Sequence, residues 1–235
     1  MRVISIFKKE VRSYFTSPIA YVLLAIYLGL SAYFFVGVTF YLEEASMYLV
    51  LGNMGVTLIF LIPVITMRLF SEELRQGTIE LLYTSPLRVT EIVLGKYLSA
   101  LFLYAVIILI AGEFALFLKL FGNPENGPLI SGYLGLFLLG AMFLAIGLFS
   151  STLTENQLVA AVITFFLLLF FWISGWAGEL TRGIWKSFFD NLSVFRHFDS
   201  FRKGVIDSTD ILYYVGMIFL FLFYSVKMVD SYRWR

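Results

Sequence analysis

Long apolar blocks broken by short polar stretches dominate the hydropathy pattern of this chain. Residues 19–41 hold 23 positions without a charge. At about 1.5 Å of rise per residue, a helix over them reaches roughly 34 Å, enough to cross a hydrocarbon core. A cleaved signal peptide is the rival reading, but its apolar region is shorter and no small-x-small site follows at 41–46, so the pattern predicts a retained first span. Five further blocks predict spans at 46–67, 97–118, 131–153, 158–176 and 211–229. The last is charge-free only over 211–226, so Lys227 must carry its ammonium out to the interface. Six spans put both termini on one side of the bilayer.

Ahead of the first span, Ile4, Phe7, Val11, Tyr14 and Phe15 recur at helical spacing, with Ser5, Lys9, Arg12 and Ser13 on the other side. This predicts an interfacial helix over 1–17. Ser17 suits a helix cap and Pro18 a first helical position, which turns the chain from lying on the membrane to crossing it. Charge then sets orientation. Arg2, Lys8, Lys9 and Arg12 precede the first span, and Arg68, Arg75, Arg88 and Lys96 fall in the 68–96 stretch; short basic segments of this kind stay in the cytosol. The first outer loop holds Glu43 and Glu44 and the second holds Lys119. The 177–210 segment opposes the trend, because it carries Arg182, Lys186, Arg196, Arg202 and Lys203 while the span count places it outside the cytosol.

Composition agrees with a lipid solvent: 60% hydrophobic residues, 14% charged residues and a mean hydropathy of +0.88. The 17 basic and 16 acidic side chains nearly cancel, leaving no basic field for nucleic acid. The absence of Cys excludes disulfides, iron–sulfur clusters and thiolate metal sites. A phosphate-binding G-x-x-x-x-G-K-[ST] is also missing, since the Gly95-Lys96 pair is followed by Tyr97 and Thr90 stands where the earlier Gly is needed. There is no H-E-x-x-H or G-x-S-G, and the lone His197, placed in a loop, is read as structural or solvated. The residues thus predict no enzyme activity, no metal and no cofactor on this chain.

Glu113 is the one carboxylate well inside a span, with no acid on a neighbouring helix to complete a proton or sodium relay. It either reaches headgroups and water or faces a substrate pathway. Residues 131–153 carry Gly135, Gly140, Ala141, Ala145, Gly147 and Ser151, which predict close helix packing within or between subunits. In the 68–96 stretch, Ser71 suits the cap of a short helix that Gly77 ends or kinks, and Thr78 the cap of a second that stops before Pro86. On that second helix Ile79, Leu82 and Tyr83 form an apolar patch beside Glu80, suited to a partner's groove or to packing on the membrane surface.

The runs Ser71-Glu72-Glu73, Gly77-Thr78-Ile79-Glu80-Leu81-Leu82, Thr84-Ser85-Pro86 and Glu91-Ile92-Val93-Leu94-Gly95-Lys96 resemble the cytosolic loop of ABC-2 type permeases. Ser17-Pro18-Ile19, Leu61-Ile62-Pro63, Thr66-Met67-Arg68, Ser151-Thr152-Leu153-Thr154, Asn156-Gln157 and Gly204-Val205-Ile206-Asp207 are similar to the gliding-motility permease branch. The resemblance implies an all-α integral membrane protein with six transmembrane helices, a single transmembrane domain over 1–235, in the plasma (bacterial inner) membrane. It implies a permease subunit of an ABC-2 exporter, paired with a second permease, identical or paralogous, and with a separate ABC ATPase that binds ATP and Mg. It also implies that Gly77, Thr78, Ile79, Glu80, Leu81, Leu82, Tyr83, Thr84, Ser85 and Pro86 form the coupling helix. The aromatic series Trp185, Phe188, Phe189, Phe195, Phe198 and Phe201 then suits an interfacial or re-entrant helix over the outer mouth, or plain membrane-surface anchoring. Competing readings are an autonomous channel or secondary transporter, disfavoured by the missing ionisable pairs, and a membrane scaffold that recruits an ATPase without transporting. Cargo is not encoded: uncharged aromatic faces suit lipids or amphipathic molecules, but such faces meet bilayer lipid in any bundle.

Overall fold

The computed structural model describes residues 2–41, 46–78, 87–122, 124–180 and 182–232, and among them every element is helical. The helices are α1 (Arg2–Thr16), α2 (Pro18–Val36), α3 (Met47–Thr66), α4 (Ser71–Gln76), α5 (Val89–Ala111), α6 (Glu113–Phe121), α7 (Asn126–Thr152), α8 (Gln157–Leu180), α9 (Ile184–Leu192), α10 (Val194–Arg202) and α11 (Ser208–Ser231), with a wider π turn at Gly37–Tyr41 after α2. Ser17 accepts the Ile19 N–H at 3.3 Å with Pro18 in the first turn, so the expected corner between α1 and α2 is formed by its own residues.

Among the described residues, six stretches are long and apolar enough to cross a membrane: Pro18–Thr39, Met47–Gln76, Val89–Phe121, Asn126–Thr152, Gln157–Gly178 and Ser208–Ser231. Each overlaps an expected span, although several ends move: the second runs on through α4 to Gln76 rather than stopping at 67, and the fourth begins at Asn126 rather than 131. The third span starts at Val89 rather than 97, where the Arg88 N–H is capped by Glu91 at 2.9 Å; Lys96 is therefore helical and not part of a loop. The fifth continues to Leu180, so the first residues of the 177–210 segment are helix.

These helices are apolar all round, so packing rather than amphipathic periodicity decides which are central. α7 touches α3, α5, α8, α10 and α11. In the apolar stretches of the spans containing α3 and α7, 72% and 67% of the residues are buried, whereas in those of α2 and α11 only 22% and 17% are, so the latter two lie at the outside of the bundle. The small residues of α7 explain its position, and they act within the chain. Gly140 leaves room for the Tyr104 ring and Gly135 for Phe201. Tyr104 then donates its hydroxyl to the Leu136 carbonyl at 2.6 Å, and Tyr97 donates to Ala141 at 3.1 Å. In a bilayer a buried hydroxyl has no water to fall back on, and the facing helix backbone supplies the acceptor.

The two ends of the bundle differ. At one, which we call the terminal end, Tyr232 donates to the Thr152 carbonyl at 2.9 Å, Ser71 donates to Ser151 at 3.1 Å, and α1 lies along α5, so α1 and the close of α11 are gathered there. At the other, α9 folds back along α8 and α10 packs against α3, α7 and α8. Phe198 reaches Gly55, eight residues inside α3, so the α9–α10 hairpin re-enters the bundle to a depth of about 12 Å.

Candidate functional site

Residues from three helices converge at the terminal end. α1 turns Ile6, Glu10 and Tyr14 inward at four-residue spacing: Ile6 and Tyr14 are buried, and Ile6 packs on Gly95 of α5. The expected apolar stripe is therefore rotated. Phe7 and Phe15 flank Phe102 with ring centroids 5.7 and 6.4 Å away, while Ile4 is 55% exposed. The inward face carries an acid because a cation awaits it.

That cation is Lys96, whose side chain is 3% exposed. Its ammonium pairs with Glu10 at 3.2 Å and Glu73 at 2.9 Å, donates to the Leu69 carbonyl at 2.6 Å, and lies 5.1 Å from the centre of the Phe70 ring. Beside it Tyr14 donates to the Ile65 carbonyl at 3.2 Å, with the Arg68 guanidinium 4.6 Å above its ring. Glu10, Tyr14, Arg68, Leu69, Glu73 and Lys96 help to line a cavity of about 420 Å³. The signal in the sequence was a charge in each of two apolar faces, Glu10 between Ile6 and Tyr14 and Lys96 between Val93 and Ala100.

α4 runs from this cluster toward the expected coupling segment. Ser71 does not cap it; its hydroxyl is drawn instead to the Ser151 carbonyl, and the cap position falls on Phe70. Gly77 ends α4 as expected, at φ 67°, and the Thr78 N–H bonds the Glu73 carbonyl at 3.1 Å while the Gly77 N–H bonds Leu74 at 3.2 Å. This paired closure needs a left-handed residue, which glycine adopts without a Cβ clash. Thr78 donates its hydroxyl to the Glu73 carbonyl at 3.4 Å. Ile79, Glu80, Leu81, Leu82, Tyr83, Thr84, Ser85 and Pro86 lie outside the described residues.

Glu113 starts α6 after a break at Gly112 and is exposed. Eight residues separate it from the Phe121 end, a depth of about 12 Å.

At the opposite end, Arg202 is the buried charge that holds the hairpin. It donates from Nε to the Tyr48 carbonyl at 2.9 Å and from Nη1 to Asp199 at 3.3 Å, and its guanidinium sits 3.9 Å from the centre of the Tyr48 ring, in space left by Gly52. Asp199 also accepts from Tyr48 at 2.7 Å and from Lys203 at 2.5 Å. Burial pushes the Asp199 carboxyl up, but the hydrogen bonds from Lys203 and Tyr48 and the adjacent charges outweigh it and hold the group below its ordinary value. Phe198 and Phe201 are fully buried, so they are core residues of a re-entrant hairpin and not surface anchors. His197 stands on α10 and not in a loop; it meets Asp210 at 2.6 Å and stacks on Tyr213 at 4.0 Å, in keeping with a structural role. Next to it lies a polar cavity of about 420 Å³ that Lys186, Asp190 and Arg196 help to line. Among the described residues no cluster of His, Cys, Asp and Glu fits a metal ion.

Six membrane-crossing helices, a surface helix, a re-entrant hairpin and charged clusters confined to the two ends define an all-α polytopic membrane protein. The model of the family described as ABC-2 family transporter protein matches residues 39–189, which takes in α3 through most of α9, and the chain belongs to that family. It is the membrane component of an ABC-type system, a class whose permeases work with an ABC ATPase. No curated protein matches the chain.

Proposed function

We propose that this chain is the permease subunit of an ABC-2 exporter, driven by a separate ATPase that docks on residues 77–86 and binds ATP and Mg. The terminal end faces the cytosol, and two permeases, identical or paralogous, enclose the pathway in the bacterial inner membrane. Support for the docking site comes from the buried Lys96 cluster: it fixes α4 to α1 and α5 immediately before residue 77, where a push from outside would otherwise bend the chain. Exposed Lys8, Lys9 and Arg12 at that end support a cytosolic orientation. ATPase binding then biases the bundle between inward- and outward-facing packings through different contacts in its nucleotide states. Glu113 is a candidate contact along the substrate pathway, and the likeness to the gliding-motility branch concerns sequence and carries no inference of motility.

The test is co-purification of the ATPase and its nucleotide-stimulated activity in membranes holding equal amounts of each permease. Leu82→Ala with Tyr83→Ala, and separately Glu80→Lys, should preserve insertion and reduce both quantities. A desolvated charge that loses its partner typically costs about 2–5 kcal/mol, whereas a rim charge costs little. Unchanged recovery and activity in all variants would remove 77–86 as the docking segment. Nucleotide-dependent flux from the purified complex separates export from a scaffold that recruits an ATPase without transporting.

A further inference from the structure

α4 has six residues, too few to hold a helical shape or direction by itself. Its position is set by what it touches. One side is the Ser71 bond to Ser151 and the other is Lys96, so the ammonium is the charge that joins α4 to α1 and α5. Glu73 depends on it heavily: Oε2 of Glu73 is buried with no hydrogen-bond partner, and Lys9, 70% exposed, stands off at 4.0 Å. Between α3 and α4 the chain makes only turns over 67–70, which gives the connection a natural place to flex.

We propose that Lys96 is the positioning residue of the coupling machinery, locking α1, α4 and α5 into one body. Displacement of residues 77–86 is then passed to the spans and not absorbed by bending at 67–70. This rests on reading 77–86 as the ATPase-docking segment, but the lock itself belongs to this chain and can be measured without any partner. Removing only the cation would leave two carboxylates facing each other in a buried site, so the informative variant neutralises all three groups at similar size.

The experiment places spin labels at two exposed positions, Arg12→Cys on α1 and Gln76→Cys on α4, in the otherwise Cys-free chain. The interspin distance distribution in bilayers should be narrow in the parent and in Lys96→Arg, which keeps the cation. It should broaden in the triple variant Lys96→Met, Glu10→Gln, Glu73→Gln. If the triple variant fails to insert, Glu73→Gln alone serves, because it leaves Lys96 and Glu10 as a balanced pair and should still free α4. With the ATPase present, the variant that inserts should retain the partner while nucleotide-stimulated activity falls to the unstimulated level, a split that general destabilisation would not produce. A distribution as narrow as the parent's, or stimulation fully kept, overturns the proposal. If the parent recovers no ATPase, the docking reading fails, and the distance measurement still decides the lock.

Discussion

Arg202→Met should loosen the re-entrant hairpin while leaving the six spans in place. The guanidinium, 5% exposed, makes two hydrogen bonds and lies 3.9 Å over the Tyr48 ring. A hydrogen bond to a charged group contributes about 1.5–3 kcal/mol and a desolvated cation–π contact about 2 kcal/mol. Returning the guanidinium to water in the open hairpin recovers several kcal/mol of hydration and offsets much of that sum. Asp199 is not stranded by the change, because Lys203 and the Tyr48 hydroxyl still hold it. The expected net loss is therefore about 2 kcal/mol, equivalent to about a 30-fold rise in the open population. Ser193→Cys reports it: the residue is fully buried at the hairpin tip, and no other thiol competes. Modification by a water-soluble thiol reagent should quicken by about that factor in Arg202→Met. Arg202→Lys should fall between, since an ammonium keeps the charge but not the planar fork that bonds and stacks together. Equal labelling rates in all three backgrounds would refute the view that Arg202 holds the hairpin to α3.

Four further outcomes follow from the same contacts. The purified chain, free of ATPase, should bind no ATP in equilibrium dialysis, because it has no phosphate-cradling loop. Gly140→Val should drive a side chain into the Tyr104 ring and cost about 1–3 kcal/mol, read as reduced thermal stability in detergent. Cysteines at exposed Gln76 and Lys186 should label from opposite faces of sealed vesicles, and labelling of both from one face would overturn the topology. The lowered Asp199 carboxyl stabilises the hairpin fully above its ordinary value, and that contribution is lost as pH falls through the lowered folded value; the Ser193→Cys labelling rate, taken relative to that of an exposed cysteine at the same pH so that thiol ionisation cancels, should rise only in that acidic window, whereas Asp199→Asn should show the raised ratio at neutral pH.

The helical class and all six spans were legible because hydropathy weighs each segment against its solvent, and 18 or more apolar residues have few other fates. The Ser17-Pro18 corner and the Gly77 stop were legible for a related reason, as both depend on residues next to each other in sequence. Ser71 shows where that logic ends: its preference for a cap lost to an acceptor on α7, 80 residues away. The small-residue stretch in α7 pointed correctly to close packing, but the tyrosine rings that fill its gaps come from α5 and could not be assigned from α7 alone.

Charge was the least legible feature, and Lys96 explains why. A lysine seven residues into a helix that starts near the interface reads as a basic loop residue by the positive-inside pattern, and orientation arguments count it without asking where its ammonium goes. Its burial is decided by Glu10, 86 positions earlier, whose own place in an amphipathic helix looks like an ordinary break in an apolar stripe. Neither residue is informative singly, since each has a cheap solvated alternative at the membrane surface. Together with Glu73 they account for each other, because an ammonium taken out of water is tolerable where carboxylates meet it at 2.9 and 3.2 Å. Arg202 repeats the pattern at the other end, where a basic segment that violated the charge rule places its guanidinium against the Tyr48 carbonyl. Lys96, which follows the charge rule, and Arg202, which breaks it, thus mark the two places where α3 and α4, one nearly continuous stretch from Met47 to Gln76, are tied to the rest of the bundle by buried charge.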